Sequence, residues 1–309
     1  FPHAKHSLFV LPQVTLFLEQ IINGLVLGGI YALIAVGYTM VYGVIQLINF
    51  AHGEIFMFGA YFAFLCLVVL KFPLWLAVLA SILLCALMGV VIDLIAYRPL
   101  RNAPRLSALI TAIGISLILQ NMARMIWGAE PRRDLANAKS DFLSQTVIIP
   151  GGAQLSYLDL SIIILAILLM VGLNRLISLT RIGKAMRACA QDKMAASLMG
   201  IDTNRIIGAT FAIGSALGAV AGIMVGMRET IEPTMGYYKG VAAFAAAVLG
   251  GIGNITGAML GGVVLGIAEV LGAGYISSGY RVAISYILMI LVIVFRPAGL
   301  LGRASAKRS

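Results

Sequence analysis

Polar and ionisable side chains interrupt an apolar stretch of the chain at Ile48-Asn49-Phe50-Ala51-His52-Gly53-Glu54. An ionisable group at the centre of a membrane-spanning helix costs roughly 2.5–3.5 kcal/mol on insertion scales, so it should face a cavity or a polar partner. Asn49, His52, Gly53 and Glu54 are therefore candidates for a translocation path, for a hydrogen-bonded network that caps a broken helix, or for a wet interfacial position. No second histidine or cysteine lies near His52 in the sequence, so we predict no metal site.

A second, glycine-rich interruption runs from Leu249 to Gly257. The residues in it that could bend or open a helix are Gly250, Gly251, Gly253 and Asn254. Paired interruptions in the two halves of a chain are typical of transporters built from repeats around a central path. Glycine is common in all membrane helices, but backbone freed at membrane depth must line a cavity or be buried in protein. We therefore expect broken or re-entrant helices at both places, with a substrate path between them.

The remaining polar residues in apolar segments are weaker candidates. Gln120, Asn121 and Glu269 are most simply interhelical hydrogen bonders, each bond being worth about 0.6 kcal/mol. Glu229 and Glu232 lie just beyond an apolar segment and mark an external loop. The sequence contains no Gly-x-x-x-x-Gly-Lys-Ser/Thr phosphate loop, so we expect neither nucleotide hydrolysis, nor another catalytic role, nor a cofactor on this chain.

The composition places these residues in a membrane protein. Hydrophobic residues make up 61% of the 309 residues and charged residues only 11%, whereas soluble domains carry about a quarter charged residues. The net charge of +10 could suggest nucleic acid as a partner. Its basic residues, however, lie in short runs between apolar stretches, as the positive-inside rule describes, which favours membrane lipid instead.

Apolar segments long enough to cross a bilayer recur along the whole chain. The predicted spans are Val14–Val44, Phe50–Leu70, Leu74–Tyr97, Leu106–Ile126, Leu158–Ile177, Arg205–Met227, Val241–Gly253, Ala258–Ala273 and Val282–Phe295. The fold class is therefore an all-α, polytopic transmembrane helical bundle of about eight or nine membrane segments. We expect residues 1–309 to form a single membrane domain.

Loop charges predict the orientation of this bundle. The loops Arg98–Arg105 and Arg175–Arg205 and the tail from Arg296 to Arg308 are predominantly basic, so we expect them in the cytoplasm. The loop at about 128–157 mixes acidic and basic residues and is predicted to be external. The side on which the N-terminus lies stays open.

The basic loop at about 178–204 contains a predicted helix, Ile182–Met199, outside the apolar spans. Three polar residues recur on one face at helical spacing, namely Lys184, Arg187 and Gln191. The other face carries Ile182, Met186 and Cys189. Gly200 is a natural helix stop, and Asp202 or Thr203 can cap the next helix. This helix could rest on lipid headgroups or dock a cytoplasmic partner.

The residue order in this loop and elsewhere resembles one transporter family. Ala195, Ala196 and Gly200 match the Glu-Ala-Ala-x-x-x-Gly core of the cytoplasmic loop of ABC importer permeases, with Met194 in place of the glutamate. Further stretches of the same kind are Tyr31–Gly43, Ile48–Glu54, Ala188–Asp192, Ala246–Gly253 and Arg296–Gly302. Together, from about Gln20 to Gly302, they are similar to a permease of the high-affinity branched-chain amino acid (leucine/isoleucine/valine) ABC importer family.

This resemblance implies a multi-pass protein of the cell inner membrane that works by alternating access. It further implies three kinds of partner, which are separate ATPase subunits, a second related permease subunit and an extracytoplasmic substrate-binding protein. In that superfamily the cytoplasmic loop inserts into a groove on the ATPase. The residues expected in this coupling loop are Lys184, Arg187, Ala195, Ala196 and Gly200.

Other transport mechanisms remain open at the level of sequence. An ion- or proton-coupled secondary amino acid carrier could use Glu54 or Glu269 as its coupling group. A channel-like facilitator would need no energy source, and an ABC permease for urea or short amides would differ only in substrate. Neither the carrier nor the facilitator accounts for the Ala195-Ala196-x-x-x-Gly200 pattern.

Overall fold

The computed structural model describes residues 3–101, 103–138, 140–149, 152–296 and 298–302. Within these, residues 3–13, 105 and 141 are described by their backbone alone. The basic residues Arg303, Lys307 and Arg308 of the predicted cytoplasmic tail lie outside the described residues.

Helices account for nearly all of the regular structure. In chain order they are α1 (His3–Ile45), α2 (His52–Phe64), α3 (Leu74–Ile92), α4 (Arg105–Trp127), α5 (Asp134–Asn137), α6 (Asp141–Ser144), α7 (Tyr157–Leu179), α8 (Arg181–Gln191), α9 (Lys193–Leu198), α10 (Thr203–Arg228), α11 (Met235–Gly250), α12 (Ile255–Tyr275) and α13 (Arg281–Phe295). Short π-helical turns, Leu65–Val69 and Asp93–Tyr97, extend α2 and α3, and a 3₁₀ turn, Ser278–Tyr280, precedes α13. Two antiparallel strands, β1 (Thr146–Ile148) and β2 (Gln154–Ser156), form a hairpin before α7.

Within the described residues, eight helical segments are long and apolar enough to cross a membrane. They confirm the predicted all-α, polytopic bundle, and their bounds agree with eight of the predicted spans to within a few residues. The ninth predicted span, Val241–Gly253, corresponds to α11, which begins earlier, at Met235, and has only 16 residues. At 1.5 Å per residue, α11 is too short to cross a bilayer by itself.

The bundle contains two units of four helices each, which have the same arrangement of helices but run through the bundle in opposite directions. The first unit is α1–α4 and the second is α10–α13, and in each the second helix is a short one preceded by an irregular segment. Extensive reciprocal packing relates them, because α1 lies along α12 while α10 lies along α3. Such a pair of inverted units is typical of membrane transporters.

The sequence prediction paired the wrong segments of these two units. The interruption before α2, residues 46–51, has its counterpart before α11, in residues 229–234. The glycine-rich segment Leu249–Gly257 instead contains the turn between α11 and α12, which corresponds to the turn between α2 and α3. A run of glycines looks like a broken helix in sequence, but here it allows two helices to turn back tightly.

Small residues let the central helices approach closely. A Cβ added at Gly28 would lie 2.8 Å from the Cα of Val263 on α12, which is closer than real side chains approach. Gly266 packs in turn against the backbone of Gly28. Close backbone approach through small residues is the usual way in which membrane helices associate.

The outer helices α3, α4, α7 and α13 present apolar side chains to the surroundings. Large exposed residues on them include Leu83, Ile110, Leu168 and Val294. A soluble protein rarely exposes contiguous apolar surface of this kind, so these faces suit the apolar interior of a membrane.

The two ends of the bundle differ in charge. At the basic end, Arg101 hydrogen-bonds Asn204, which joins the loop Arg98–Arg105 to the start of α10. At the opposite end, Arg228 forms an ion pair with Asp159 (2.9 Å) and the backbone of Arg132 pairs with that of Ile231. The predicted cytoplasmic loops thus share one end, and the loop at 128–157 lies at the other. Which end faces the cytoplasm stays a prediction.

Candidate functional site

The helix α2 begins near the middle of the bundle. The chain leaves α1 at Ile45, and Gln46 adopts a φ of +59°, which turns the backbone into an irregular stretch. Glu54, in the first turn of α2, accepts a hydrogen bond from Ser116, which lies midway along α4 (3.0 Å). Residues 46–51 therefore lead from the basic end into the interior, where α2 continues toward Arg132 at the opposite end. This irregular entry is the first re-entrant segment.

A second half-helix meets the first at the same depth. Residues 229–234 run inward from the opposite end, and α11 starts at Met235. Gly53 packs against the backbone of Gly236, and its missing Cβ would lie 3.0 Å from the Cα of Gly240. The N-termini of α2 and α11, both carrying partial positive charge, thus face each other at the centre of the bundle.

The sequence prediction missed this second half-helix. It assigned Glu229 and Glu232 to an external loop because both are acidic and follow an apolar span. The available signal is Pro233, a helix breaker, followed by Gly236 and Gly240 at the four-residue spacing of close-packed membrane helices.

Asn49 is held by the first unit of the bundle. Tyr97, at the end of α3, donates a hydrogen bond to Asn49 Oδ1 (3.0 Å) and lies 3.3 Å from the carbonyl oxygen of Ile48. Both side chains are buried. Of the three roles weighed for Asn49, this geometry favours the structural network that fixes the re-entrant segment.

His52 fills a notch made of small residues. Its ring meets Tyr38 edge-on, with 4.9 Å between ring centroids. Gly37 and Gly218 line the notch, and a Cβ at Gly37 would overlap the imidazole. His52 is therefore a packing residue between α1, α2 and α10.

Glu54 is a buried ionisable group at the junction of the half-helices. Ser116 satisfies its Oε1, while Oε2 has no hydrogen-bond partner among the described residues and packs against Gly236. Two helix N-termini converge there and favour a negative charge. Of the predicted path residues, the structure brings Asn49, His52, Gly53 and Glu54 together.

Gly250, Gly251, Gly253 and Asn254 lie elsewhere, at the basic end. Gly251 and Gly253 have φ values of +104° and +93°, which only glycine adopts easily. Asn254 caps α12 by accepting from the amide of Gly257 and donates to the carbonyl of Leu301 (2.7 Å). Among the predicted interhelical bonders, Asn121 instead bonds the carbonyl of Leu117 on its own helix.

A polar cluster lies between α1, α11, α12 and α13, toward the opposite end. Glu269 accepts hydrogen bonds from Tyr31 (2.9 Å) and Ser285 (3.0 Å) and forms an ion pair with Arg281 (3.3 Å). This confirms the prediction that Glu269 bonds neighbouring helices, and the partners were not visible in the sequence because they lie on distant segments.

A second ion pair lies beside this cluster. Lys239, on α11, lies 3.1 Å from Glu229, in the second re-entrant segment. Burial alone would raise the pKa of Glu229, but the Lys239 ammonium, with help from Arg228 and Arg281, lowers the pKa below its usual value. The two re-entrant segments therefore differ, because only the second is fixed by an ion pair of this kind.

The basic loop forms two helices where the sequence predicted the single helix Ile182–Met199. Asp192 ends α8 and caps α9, its Oδ1 accepting from the amides of Met194 (2.8 Å) and Ala195 (3.0 Å). An aspartate at this position offers a stronger local bond than a continued helix would. Gly200 stops α9 with a φ of +82°, and Asp202 caps α10, as predicted.

One face of this helix pair is fixed to the bundle. Met186, Cys189 and Ala196 are buried, whereas Ile182, predicted to share that face, is exposed. Arg187 donates to the carbonyls of Ile177 and Ser178 at the end of α7. Ala196 thus supports the loop from within, whereas Arg187 ties α8 to the end of α7 at the surface.

The other face is exposed and mixed in character. It carries Lys184, Ala195 and three large apolar side chains, Met194, Leu198 and Met199. Lys193 crosses back to α1, its Nζ lying 3.2 Å from the carbonyl oxygen of Ile45. Burial, and then repulsion from Arg101, lower the pKa of Lys193.

The inverted units, the two half-helices and the basic loop between α7 and α10 define a multi-pass permease of the inner membrane. A family model described as branched-chain amino acid transport system / permease component matches residues 20–293. The chain belongs to this family.

Curated relatives match over nearly the whole chain. The high-affinity branched-chain amino acid transport system permease protein BraD of Pseudomonas aeruginosa is 43% identical, covering 96% of this chain and 100% of its own length. The LivH protein of Escherichia coli, which carries the same description, is 45% identical over 96% of this chain and 99% of its own length. A probable branched-chain amino acid transport permease, LivH of Methanocaldococcus jannaschii, is 29% identical over 92% of both chains.

Proposed function

We propose that this chain is the membrane-spanning subunit of an ATP-driven importer that carries branched-chain amino acids into the cell. The observation that carries the proposal is the identity of 43–45% to BraD and LivH over almost the full length of each chain. The partners would be two ATPase subunits, a second related permease and an extracytoplasmic substrate-binding protein. ATP hydrolysis would take place on the ATPase subunits.

The exposed face of α8 and α9 supports an ATPase as the partner at the basic end. Leu198 is 82% exposed and adjoins the exposed Met194 and Met199, although the loop lies outside the membrane spans. Apolar side chains in water with basic neighbours are typical of a docking surface. We propose that Lys184, Arg187, Ala195, Ala196 and Gly200 form or support this coupling loop.

A connected set of contacts leads from this surface to the middle of the membrane. Lys193 holds the last carbonyl of α1 at Ile45, and residues 46–51 then run directly to the half-helix junction at Glu54. Movement of α9 against the ATPases would displace the first re-entrant segment. Asn49, His52, Gly53 and Glu54 would thereby open or close the path, with Gly250, Gly251, Gly253 and Asn254 as a hinge near its basic end.

The secondary-carrier alternative finds less support. Of its two candidate coupling groups, Glu54 and Glu269, the second is already neutralised by its ion pair with Arg281, so an unaccompanied cation there would add uncompensated charge. A carrier would also have no use for an exposed apolar surface on α9. The permeases for urea or short amides remain distinguishable by substrate.

The test is uptake by the complete complex in proteoliposomes. Leucine import should require ATP inside the vesicles and loaded binding protein outside, and should continue when ion gradients are abolished. Isoleucine and valine should compete with labelled leucine, whereas urea and acetamide should not. Uptake that survives without ATP and collapses with the ion gradient would contradict the proposal.

A further inference from the structure

A cavity of about 110 Å³ lies between α1, α11, α12 and α13, near the opposite end of the bundle. Its polar lining consists of Tyr31, Tyr238, Lys239, Glu269, Arg281 and Ser285. A water molecule occupies about 30 Å³ in the liquid, so the cavity has the volume of several waters. It opens between α11 and α13, where Tyr238 and Arg281 are exposed.

Charges of both signs line this cavity at membrane depth. The carboxylate of Glu269, with a side chain only 4% exposed, lies on one wall with Arg281 3.3 Å away. Lys239 lies on the α11 wall and reaches Glu229 at 3.1 Å. Glu229 lies outside the cavity lining, but together with Glu269 it balances the two cations, so a bound zwitterion would add no net charge to the cluster.

The cations retain capacity to bind a further carboxylate. Arginine has five N–H donors in a planar fork, and Arg281 contacts Glu269 through Nε while its side chain is 45% exposed. Lysine has three donors, of which the contact with Glu229 uses one. An incoming carboxylate can therefore bind both cations without breaking either ion pair.

The remaining walls are apolar. Val241, Ala242 and Ala245 face the cavity from α11, and the ring of Tyr286 faces it from α13. Ligand sites commonly combine such walls with a few placed polar groups that fix orientation. An aliphatic side chain would be buried here while the charged end of the same molecule meets the ions.

We propose that this cavity binds the zwitterion of an aliphatic amino acid on its way through the permease. Its carboxylate contacts Lys239 and Arg281, its ammonium contacts Glu269, and its side chain packs against Val241 and Ala245. The proposal rests on the proposed function and adds a binding site to it. Because the cavity lies at the end opposite the docking loop, it is the first site that the substrate meets after leaving the binding protein.

A zwitterionic lipid headgroup carries similar charges and could enter between α11 and α13. The depth of the cavity favours the smaller ligand, since it reaches Tyr31, which is fully buried in the core. A headgroup attached to acyl chains stays at the membrane surface, whereas a free amino acid can enter completely.

Cysteine protection tests the ligand chemistry directly in the purified complex. Val241→Cys places a thiol in the cavity, and the native Cys66, Cys85 and Cys189 are all buried. Leucine should slow the labelling of this thiol, whereas leucinamide, which lacks the carboxylate, and the keto acid of leucine, which lacks the ammonium, should not. Ile276→Cys, exposed at the same end outside the cavity, is the control. Its labelling rate should be the same with and without each of the three compounds.

Transport by charge variants provides the second measurement. Lys239→Gln and Arg281→Gln should each lower leucine import about tenfold or more, as expected for loss of a charge-assisted hydrogen bond. Lys239→Arg should restore most of it. Lys71→Gln, an exposed charge in the turn between α2 and α3, should import normally, and co-purification of the complex monitors folding of every variant.

The outcomes separate this proposal from the proposed function. Protection by phosphatidylethanolamine vesicles but not by leucine would overturn the amino acid site. So would undiminished import by both glutamine variants in a complex whose wild type imports leucine. If the wild type imports no branched-chain amino acid, the proposed function fails. Whether the cavity binds an amino acid is then decided by the protection of Val241→Cys by leucine alone.

Discussion

Lys193 Nζ lies 3.2 Å from the carbonyl oxygen of Ile45, so the first residue of α9 holds the last turn of α1. The carbonyls at the end of a helix carry partial negative charge and lack partners within the helix. A lysine is therefore favourable there even though burial works against its charge. This contact ties the exposed loop to the beginning of the first re-entrant segment.

We expect Lys193→Met to uncouple ATP hydrolysis from transport. A hydrogen bond from a charged donor is worth about 1.5–3 kcal/mol, and without it α9 can move while residues 46–51 stay in place. The measured quantity is leucine imported per ATP hydrolysed, which should fall several-fold. Lys71→Met removes an exposed charge from the turn between α2 and α3, away from the coupling loop, and serves as the control. An unchanged ratio in Lys193→Met would argue against this route.

Leu198→Glu should prevent assembly with the ATPase subunits. It places a charge in the middle of the proposed docking surface, and loss of a central apolar anchor at an interface weakens binding about tenfold or more. Pull-down of the ATPase by tagged permease measures the effect. Ile276→Glu, at a site that is 73% exposed at the opposite end, should assemble normally. Equal recovery of both variants would exclude α9 from the interface.

Gly236→Ala should destabilise the half-helix junction. Its added methyl group would overlap the Glu54 carboxylate and lie 2.8 Å from the carbonyl oxygen of Gly53. Overpacking of this kind costs about 1–3 kcal/mol, which should lower the melting temperature in detergent. Gly114→Ala meets no atom within 4 Å and removes a flexible residue from a helix, so it should be neutral or stabilising. Similar melting of the two variants would contradict the close contact.

The ion pair of Asp93 with Arg101 should matter far more than that of Asp202 with Arg205. Arg101 bonds both carboxylate oxygens of the buried Asp93 at 2.8 and 2.9 Å, and removing one partner of a buried pair costs about 3 kcal/mol. Arg205 and Asp202 are exposed, and such pairs contribute less than about 1 kcal/mol. Thermal unfolding of Asp93→Asn and Arg205→Gln compares the two. Equal losses of stability would show that burial does not determine how much each ion pair contributes.

Acid should weaken the second re-entrant segment through Glu229. Because Lys239 and its neighbours hold the folded-state pKa of Glu229 below the usual value, ionised Glu229 stabilises the fold at neutral pH. That contribution is complete above the unfolded pKa of about 4.3 and is lost as the pH falls through the lower, folded-state pKa. The melting temperatures of wild type and Glu229→Gln should therefore differ at pH 7 and converge in acid. A constant difference would contradict the ion pair.

Local signals in the sequence were sufficient for the long helices and for one of their caps. Apolar length identified the spans, and Gly200 and Asp202 act in the structure as stop and cap. The break at Asp192 was also a local signal, but the helical spacing of Lys184, Arg187 and Gln191 favoured one continuous helix. There the capping bond of Asp192 decided the structure.

What the sequence could not provide was long-range pairing. Glu229 is polar and so was assigned to water, yet Lys239 on α11 lets it fold inward. The partner of Asn49 is Tyr97, on another helix, and that of Glu54 is Ser116, on a third. No periodicity within one segment carries such information, because it depends on how the two inverted units fit together.

The helix α7 belongs to neither unit, and its contribution can be understood by counting crossings. Four crossings, α1 to α4, return the chain to the end from which it started, so a second unit attached there would insert in the same orientation as the first. The single additional crossing by α7 reverses the orientation of everything that follows. It also places α8 and α9 at the basic end. The same odd number of crossings therefore inverts the second unit and sets the end at which the docking loop lies.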